Sequence, residues 1–569
     1  MMLWGIGLEA PMRTIAMTFA FALMLSGSFG APPAGDALQD VLETVRGDDI
    51  RAHMEILAAD DMQGREAGTA AFQAAADYVA AQFAAAGLAP LGDHGTYFQN
   101  IEFMETRLVS GSATFTLHRA KTDVPLQFSA DFVRSGGFGA SEETVTAPLV
   151  FVGFGVRAPE YAHDDFANVN VEGKILVVLT GAPPHFDTDQ RAFYSSSTGK
   201  RTLALELGAL GVVMVRTPVD QERTPWSRVV AGVGSAAMRW LEPDGTLHDG
   251  FAGLVGDAAL SESGAERLFD LAGRDLDALF ERHTSGATGS FDLDVLATLR
   301  RGSEQRTVTS PNVIALLRGS DERLREQYIF YTAHLDHLGL RPSPSGDEIH
   351  NGAYDNAAGV ASILVISRAL ANLSPAPRRS VVFVALTAEE KGLRGSDYLA
   401  QNPPVPIENV VANINIDMPF LGYPMADVEP IGVEHSTLHE SATRAAAHVG
   451  LGLTPDSRPE LVRFIRSDQF SFVKRGVPGL NLKPGATSTD PSVDGGAMRS
   501  QFLREHYHRP SDDLALPFSS EGAQDFVRTA LALGLIVATD DDAPRWKHGD
   551  FFGQRFGRRS PPGSQRDSR

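Results

Sequence analysis

YIFYTAHLD, residues 328–336, decides the fold. Its first six residues are aromatic, β-branched or small and carry no charge, as in a strand buried on both faces. The run passes directly into His334-Leu335-Asp336. Similar apolar runs occupy 312–317, 380–386, 410–417 and 479–482, with helical stretches between them at 356–371, 393–400 and 435–449. Near-continuous apolar strands alternating with helices predict an α/β fold: a mostly parallel central sheet with helices on both faces. Such sheets place their ligands outside the carboxyl ends of the strands, so the residues after each strand are the first candidates for chemistry.

Upstream of this region, residues 36–91 read as helical, with an Ala-rich period over 69–86 that stops at Gly87. Residues 98–133 alternate like strands. From 135 to 290 the texture changes to short β runs around glycines, which reads as a separate inserted module. Residues 14–25 form a short apolar run between Arg13 and the small residues Ser26-Gly27-Ser28. That layout predicts an export signal over 1–30, so the mature chain is expected outside the cytoplasm, periplasmic or secreted, without a stable membrane span. Residues 545–569 carry seven basic against two acidic side chains, and this Gly/Arg/Ser/Pro-rich end is expected to be disordered.

Composition narrows the function. The 569 residues carry 50 Lys+Arg against 71 Asp+Glu, a net charge of −21, which argues against a nucleic-acid partner. There is no cysteine, so disulfides, iron–sulfur clusters, thiolate zinc sites and thiol catalysis are excluded. Any metal must be held by His, Asp and Glu.

Candidates of those types follow the strands. His334 and Asp336 lie two apart, and Asp336 is a candidate to orient a metal-binding His334 through its carboxylate. Asp355 precedes Asn356-Ala357-Ala358-Gly359, Glu389 and Glu390 follow the 380–386 run, Asp417 ends the 410–417 run, and His508 sits in Tyr507-His508-Arg509-Pro510-Ser511-Asp512. Taken singly, each has an ordinary explanation: a structural His–Asp pair, a helix cap, an acidic helix start. Together they supply two His and at least three carboxylates, a set that suits zinc through N and O donors. Two Zn²⁺ against Asp355, Glu390, Asp417 and one hydroxide make a neutral set, leaving Glu389 outside it as a general base. His337 and His350 are not expected to be ligands, His337 because strand alternation would turn it away from His334.

This series resembles the co-catalytic dizinc aminopeptidases of peptidase clan MH. The likeness includes Gly392 and Gly395 after the Glu pair, Arg466-Ser467-Asp468-Gln469 and Gly476-Val477-Pro478, and covers about residues 310–540. The resemblance implies that Asp355 bridges two zinc ions, that His334 and Glu390 complete one and Asp417 and His508 the other, and that Glu389 is the catalytic base. It also implies a cis peptide at Asp355-Asn356. The stretch 135–290, with Val152-Gly153-Phe154-Gly155, Gly173-Lys174 and Gly208-Ala209-Leu210-Gly211, resembles a protease-associated domain. Asp60-Asp61-Met62-Gln63-Gly64-Arg65 looks like the opening of exported members that carry this insert. The implied plan is a signal (1–30), the first part of the peptidase domain (31–134), the insert (135–290), the dizinc core (291–544) and the tail (545–569).

The expected activity is removal of N-terminal residues from peptide substrates. A carboxypeptidase or dipeptidase of the same clan, in which Arg466 or Lys483 would hold a substrate carboxylate, stays open as an alternative. So does a receptor-like relative without catalysis. Glutaminyl cyclase, a single-zinc relative, is disfavoured because both halves of the site are intact. No Gly-x-Ser-x-Gly elbow supports a serine hydrolase, and Gly199-Lys200 lacks the rest of a phosphate loop.

Overall fold

A computed structural model describes residues 34–286, 289–342 and 346–558; the expected signal, 1–30, lies outside them. The main sheet is built from β1 (Phe98–Leu108), β2 (Phe291–Leu317), β3 (Tyr328–His334), β4 (Ser380–Leu386), β5 (Val410–Asn415), β6 (Asp427–Ile431) and β7 (Gly479–Pro484). Their spatial order is β1-β2-β4-β3-β5-β7-β6. The central four, β4, β3, β5 and β7, run parallel, and β1, β2 and β6 add antiparallel edges. The chain therefore has the expected α/β class.

Period-2 alternation explains the two helical layers. Ile329, Tyr331 and Ala333, with Val381, Phe383 and Ala385, face helices Ala70–Ala85, Ala358–Ala371 and Ser520–Thr539. Tyr328, Phe330, Val382, Val384 and Leu386 face the other way, onto Leu399 and Phe472. Each large apolar side chain buried here stabilises the fold by about 1.5–3 kcal/mol. Tyr331 stacks on Phe383 with ring centroids 5.4 Å apart, and its hydroxyl donates to the carbonyl of Ala530 at 2.7 Å. A Cβ on Gly534, one turn further along that helix, would overlap the same hydroxyl. Gly534→Ala is thus expected to destabilise the protein by about 1–3 kcal/mol through overpacking, outweighing a helix-propensity gain of about 1 kcal/mol. Denaturant midpoints check this, with Tyr331→Phe as the background that should recover part of the loss. An unchanged or raised midpoint would contradict the packing.

A second sheet is formed in the order Thr122–Leu126, Thr114–Arg119, the first part of β2, Glu142–Phe151, Ile175–Leu179, Gly211–Val215, Ala258–Leu260 and Phe132–Val133. Its core includes Phe115, Phe132, Phe151, Val177, Val213 and Phe269. This sheet starts earlier and ends later than 135–290, because β2 is one 27-residue strand shared by both sheets. Its first part pairs with Thr114–Arg119 and Glu142–Phe151, its second with β1 and β4. Glycine punctuation marks loops, whereas pairing between residues nearly 200 positions apart leaves no local trace. Strand Ala237–Trp240, inside the expected insert, crosses over to pair with β1.

The described part of the tail, up to residue 558, departs from expectation. Trp546 bridges to Ser436, and Phe551–Phe556 is a helix whose Phe552 is wholly buried against Phe464 and Phe470. Arg555 lies over the ring of Phe193, 4.0 Å from its centroid. Aromatic residues interleaved with the basic ones supply the apolar surface that a charge count passes over; residues 559–569 lie outside the described ones. Among the described residues no helix is long and apolar enough to cross a membrane.

Candidate metal centre

The carboxyl ends of β3, β4 and β5 lie side by side, His334 opposite Leu386 and Thr332 opposite Asn415. The chain leaving them delivers His334, Glu389 and Glu390, and Asp417 to one place. Asp355 comes from the turn that enters helix Ala358–Ala371. That turn needs Gly352, whose φ is +61° and whose Cβ would overlap the Asp355 carbonyl and the His337 ring. The helix starts at Ala358 rather than at 356 because Asp355 and Asn356 have φ of −118° and −136° with non-helical ψ. The Asp355-Asn356 peptide is cis. Asn356 ties this turn to the end of β5, its amide donating to Ile416 at 2.9 Å and its oxygen accepting from Met418 N at 3.1 Å.

The five expected ligand side chains converge, in a different grouping. His334 Nε2 lies 3.2 Å from Asp355 Oδ1 and 3.4 Å from Asp417 Oδ1. His508 Nε2 lies 3.2 Å from Asp355 Oδ2 and 3.2 Å from Glu390 Oε2. Asp355 thus turns one oxygen to each half, but His334 shares its half with Asp417 and His508 shares its half with Glu390, not the reverse. Partnership across the site follows the directions of two loops, which spacing along the chain does not encode.

Two neighbours also differ from expectation. The carboxylate of Asp336 does not orient His334; it accepts from the backbone N–H of Glu389 at 2.9 Å and of Glu390 at 3.2 Å, fixing the loop that carries both. The backbone carbonyl of Asp336 accepts instead from His334 Nδ1 at 3.0 Å, which leaves Nε2 free to face the carboxylates. His337 does not turn away: its Nδ1 is 2.9 Å from Glu390 Oε1, and with Asp355 and Glu390 it forms a triad of ligand-type atoms within 4.8 Å of one another. Alternation misplaced it because β3 ends at His334, and beyond a strand's end the period no longer sets direction.

A surrounding shell holds these groups. Ser467 Oγ donates to Asp417 Oδ2 at 2.7 Å, and Lys483 Nζ donates to the Asp417 carbonyl. Lys483 is therefore engaged with a site residue, while Arg466 makes no ion pair among the described residues. Asp512 accepts from the N–H of Tyr354 at 2.9 Å and of Asp355 at 3.0 Å. Arg65, fully buried, donates to the carbonyls of Leu335 (2.9 Å), Asn351 (2.7 Å) and Gly352 (3.0 Å), joining the His334 and Asp355 loops. Its signal was the Asp60–Arg65 motif, which marked the segment without assigning the arginine a role.

Electrostatics separate the carboxylates. Burial pushes Glu389 well above the usual carboxylate range, although His334 opposes the shift. Asp355 feels the same burial, yet His334 and His508 hold it well below its ordinary value. Glu390 is likewise held low against burial, by His508 and His337. His508 is raised to about 10 against burial by Glu390 and Asp355. Burial lifts Asp468 to about 6, against the opposing charge of His334. So many carboxylates in one buried place are costly unless cations neutralise them. The donor set is nitrogen and oxygen, and the two halves share one carboxylate, Asp355. These residues fit a pair of zinc-type ions.

Residues 312–534 match the sequence profile of Peptidase family M28. That segment, about two fifths of the chain, is an M28-type peptidase segment. Among curated relatives, a probable zinc metalloprotease of Pyrenophora tritici-repentis is 29% identical over 203 residues, which is 33% of this chain and 45% of that protein. Aminopeptidase NAALADL1 of Mus musculus is 33% identical over 144 residues, 24% of this chain and 17% of that protein. The chain spans less than half the length of these two relatives. Among solved structures, the aminopeptidase from Aneurinibacillus sp. strain AM-1 shares the fold, with a TM-score of 0.50 and 18% identity over 89% of this chain and 97% of that one. The M28 segment runs from the second half of β2 to helix Ser520–Thr539 and contains every residue that faces Asp355.

Proposed function

We propose that this chain is an exported dizinc aminopeptidase, which removes N-terminal residues from peptides. The observation that carries this reading is Asp355, whose two oxygens face separate His–carboxylate pairs. His334, Asp355 and Asp417 would hold one zinc, and His508, Asp355 and Glu390 the other, with His337 against Glu390. Bound there, the pair would supply Lewis-acid polarisation of a carbonyl and a lowered pKa for water. Glu389, claimed by neither half, takes a proton from the attacking water and passes it to the leaving amine nitrogen. Burial raises the basicity of its carboxylate, which suits that exchange. Asp336 keeps Glu389 in place by holding its N–H.

The surplus of buried carboxylates favours a substrate ammonium over a substrate carboxylate. Lys483 is already bound to Asp417, which weakens the carboxypeptidase alternative. The mouse relative named as an aminopeptidase supports the same direction. Export rests on the apolar run at 14–25, and the second sheet is read as a protease-associated domain that orients substrate. Hydrolysis of matched free and N-blocked peptides, read by product mass, tests the proposal. Stepwise loss of N-terminal residues from free peptides alone, abolished by a chelator and restored by zinc, is expected. Release of C-terminal residues from N-blocked peptides would overturn it.

A further inference from the structure

A cleft of about 250 Å³ lies where the two sheets meet, between strand Ala258–Leu260, the 133–138 segment and strand Ala237–Trp240. Four arginines line it, Arg134, Arg201, Arg239 and Arg301, against one carboxylate, Asp257. Arg301 is paired with Glu143 at 2.5 Å and Arg201 with Asp257 at 2.8 Å. Arg134 and Arg239 have no ion pair among the described residues.

Arg134 is 4% exposed. One of its nitrogens donates to the Val255 carbonyl at 2.7 Å, while Nε and Nη1 have no partner among the described residues. Among the described residues Arg239 donates only to the carbonyls of Asp249 (3.0 Å) and Met238 (2.8 Å), with its guanidinium 5.2 Å from the centroid of the Phe138 ring. Burial lowers both guanidinium pKa values to about 9, which still leaves both charged at neutral pH. With two of the four arginines paired, the cleft keeps two positive charges that no side chain among the described residues neutralises. A buried, unpaired charge is costly unless something pairs with it. The planar N–H fork of arginine matches an oxyanion in geometry as well as charge. The backbone is shaped around the cluster: a Cβ on Gly137 would overlap the Arg301–Glu143 pair, so glycine lets the chain lie directly on it.

We propose that this cleft binds a small oxyanion, a carboxylate or phosphate group, which pairs with Arg134 and Arg239 and ties the second sheet to the main one. The cleft is separate from the metal centre, so the proposal stands or falls independently of the peptidase reading. One path connects them: Trp240, next to Arg239, donates to Asp397 at 3.3 Å on the helix that follows Glu390.

The test is thermal unfolding of the full chain with inorganic phosphate or acetate at fixed ionic strength. A saturable rise of about 2–5 °C is expected in the wild type. Phosphate can also reach the metal centre, so the rise must persist in Asp355→Ala. Arg134→Met should abolish it, while unfolding at or above the wild-type temperature in anion-free buffer, because the unpaired charge is gone. Arg239→Gln, read by calorimetric titration, should weaken affinity about 10-fold or more and covers the case in which Arg134→Met does not fold. A response to acetate but not phosphate identifies a carboxylate source, and the reverse a phosphate source. No saturable shift with either anion would overturn the proposal, as would an equal shift in Arg134→Met. A drop in stability of Arg134→Met that is the same with and without anion would assign Arg134 a purely structural role.

Discussion

Glu389→Gln is expected to leave the zinc content unchanged and to lower kcat by about 100- to 10,000-fold. Glutamine keeps the shape of the side chain but cannot take a proton. The backbone N–H of residue 389 remains fixed by Asp336, so the loop should hold its position. Glu389 is the carboxylate at the end of β4 that faces neither histidine within ion-pair distance, whereas Glu390 lies 3.2 Å from His508. Loss of turnover with full metal therefore separates a proton carrier from a ligand. If zinc and activity fell together, Glu389 would be a ligand; if activity stayed near wild type, the base would be elsewhere.

The second large effect is expected from Asp355→Ala, which should strip both metals and reduce hydrolysis to background. Zinc sites of the catalytic type hold their ion with about three protein ligands. Removing Asp355 leaves His334 with Asp417 on one side and His508 with Glu390 on the other, two donors apiece. The loss should exceed the about 10- to 100-fold that follows removal of an outer partner such as Ser467. Glu390→Ala makes the contrast, because it touches one half only. Metal analysis, with circular dichroism to confirm folding, reads the difference. Retention of two zinc ions in Asp355→Ala would refute the shared-carboxylate arrangement.

Much of this was legible in the sequence because a parallel sheet gathers its strand ends. An apolar run followed by His334, another followed by Glu389-Glu390, and a third ending at Asp417 must deliver those side chains to one edge once the strands pair. What remained hidden depends on loops. The grouping of His334 with Asp417 follows from how the Asp355 turn presents its two oxygens. Asp336 and His337 lie past the last residue of β3, where alternation stops predicting direction. Arg65 acts on residues some 270 positions away, a relation with no local signature. Residues 546–558 pack through Phe552 and Trp546, whose contribution the charge pattern concealed.

Zinc per chain in purified wild-type protein, counted by elemental mass spectrometry beside a quantitative protein assay, tests the central claim most directly. The arrangement around Asp355 predicts two ions per chain, removed by chelator together with hydrolysis and restored together by zinc. One ion per chain at saturating zinc, or none with hydrolysis intact, would contradict it.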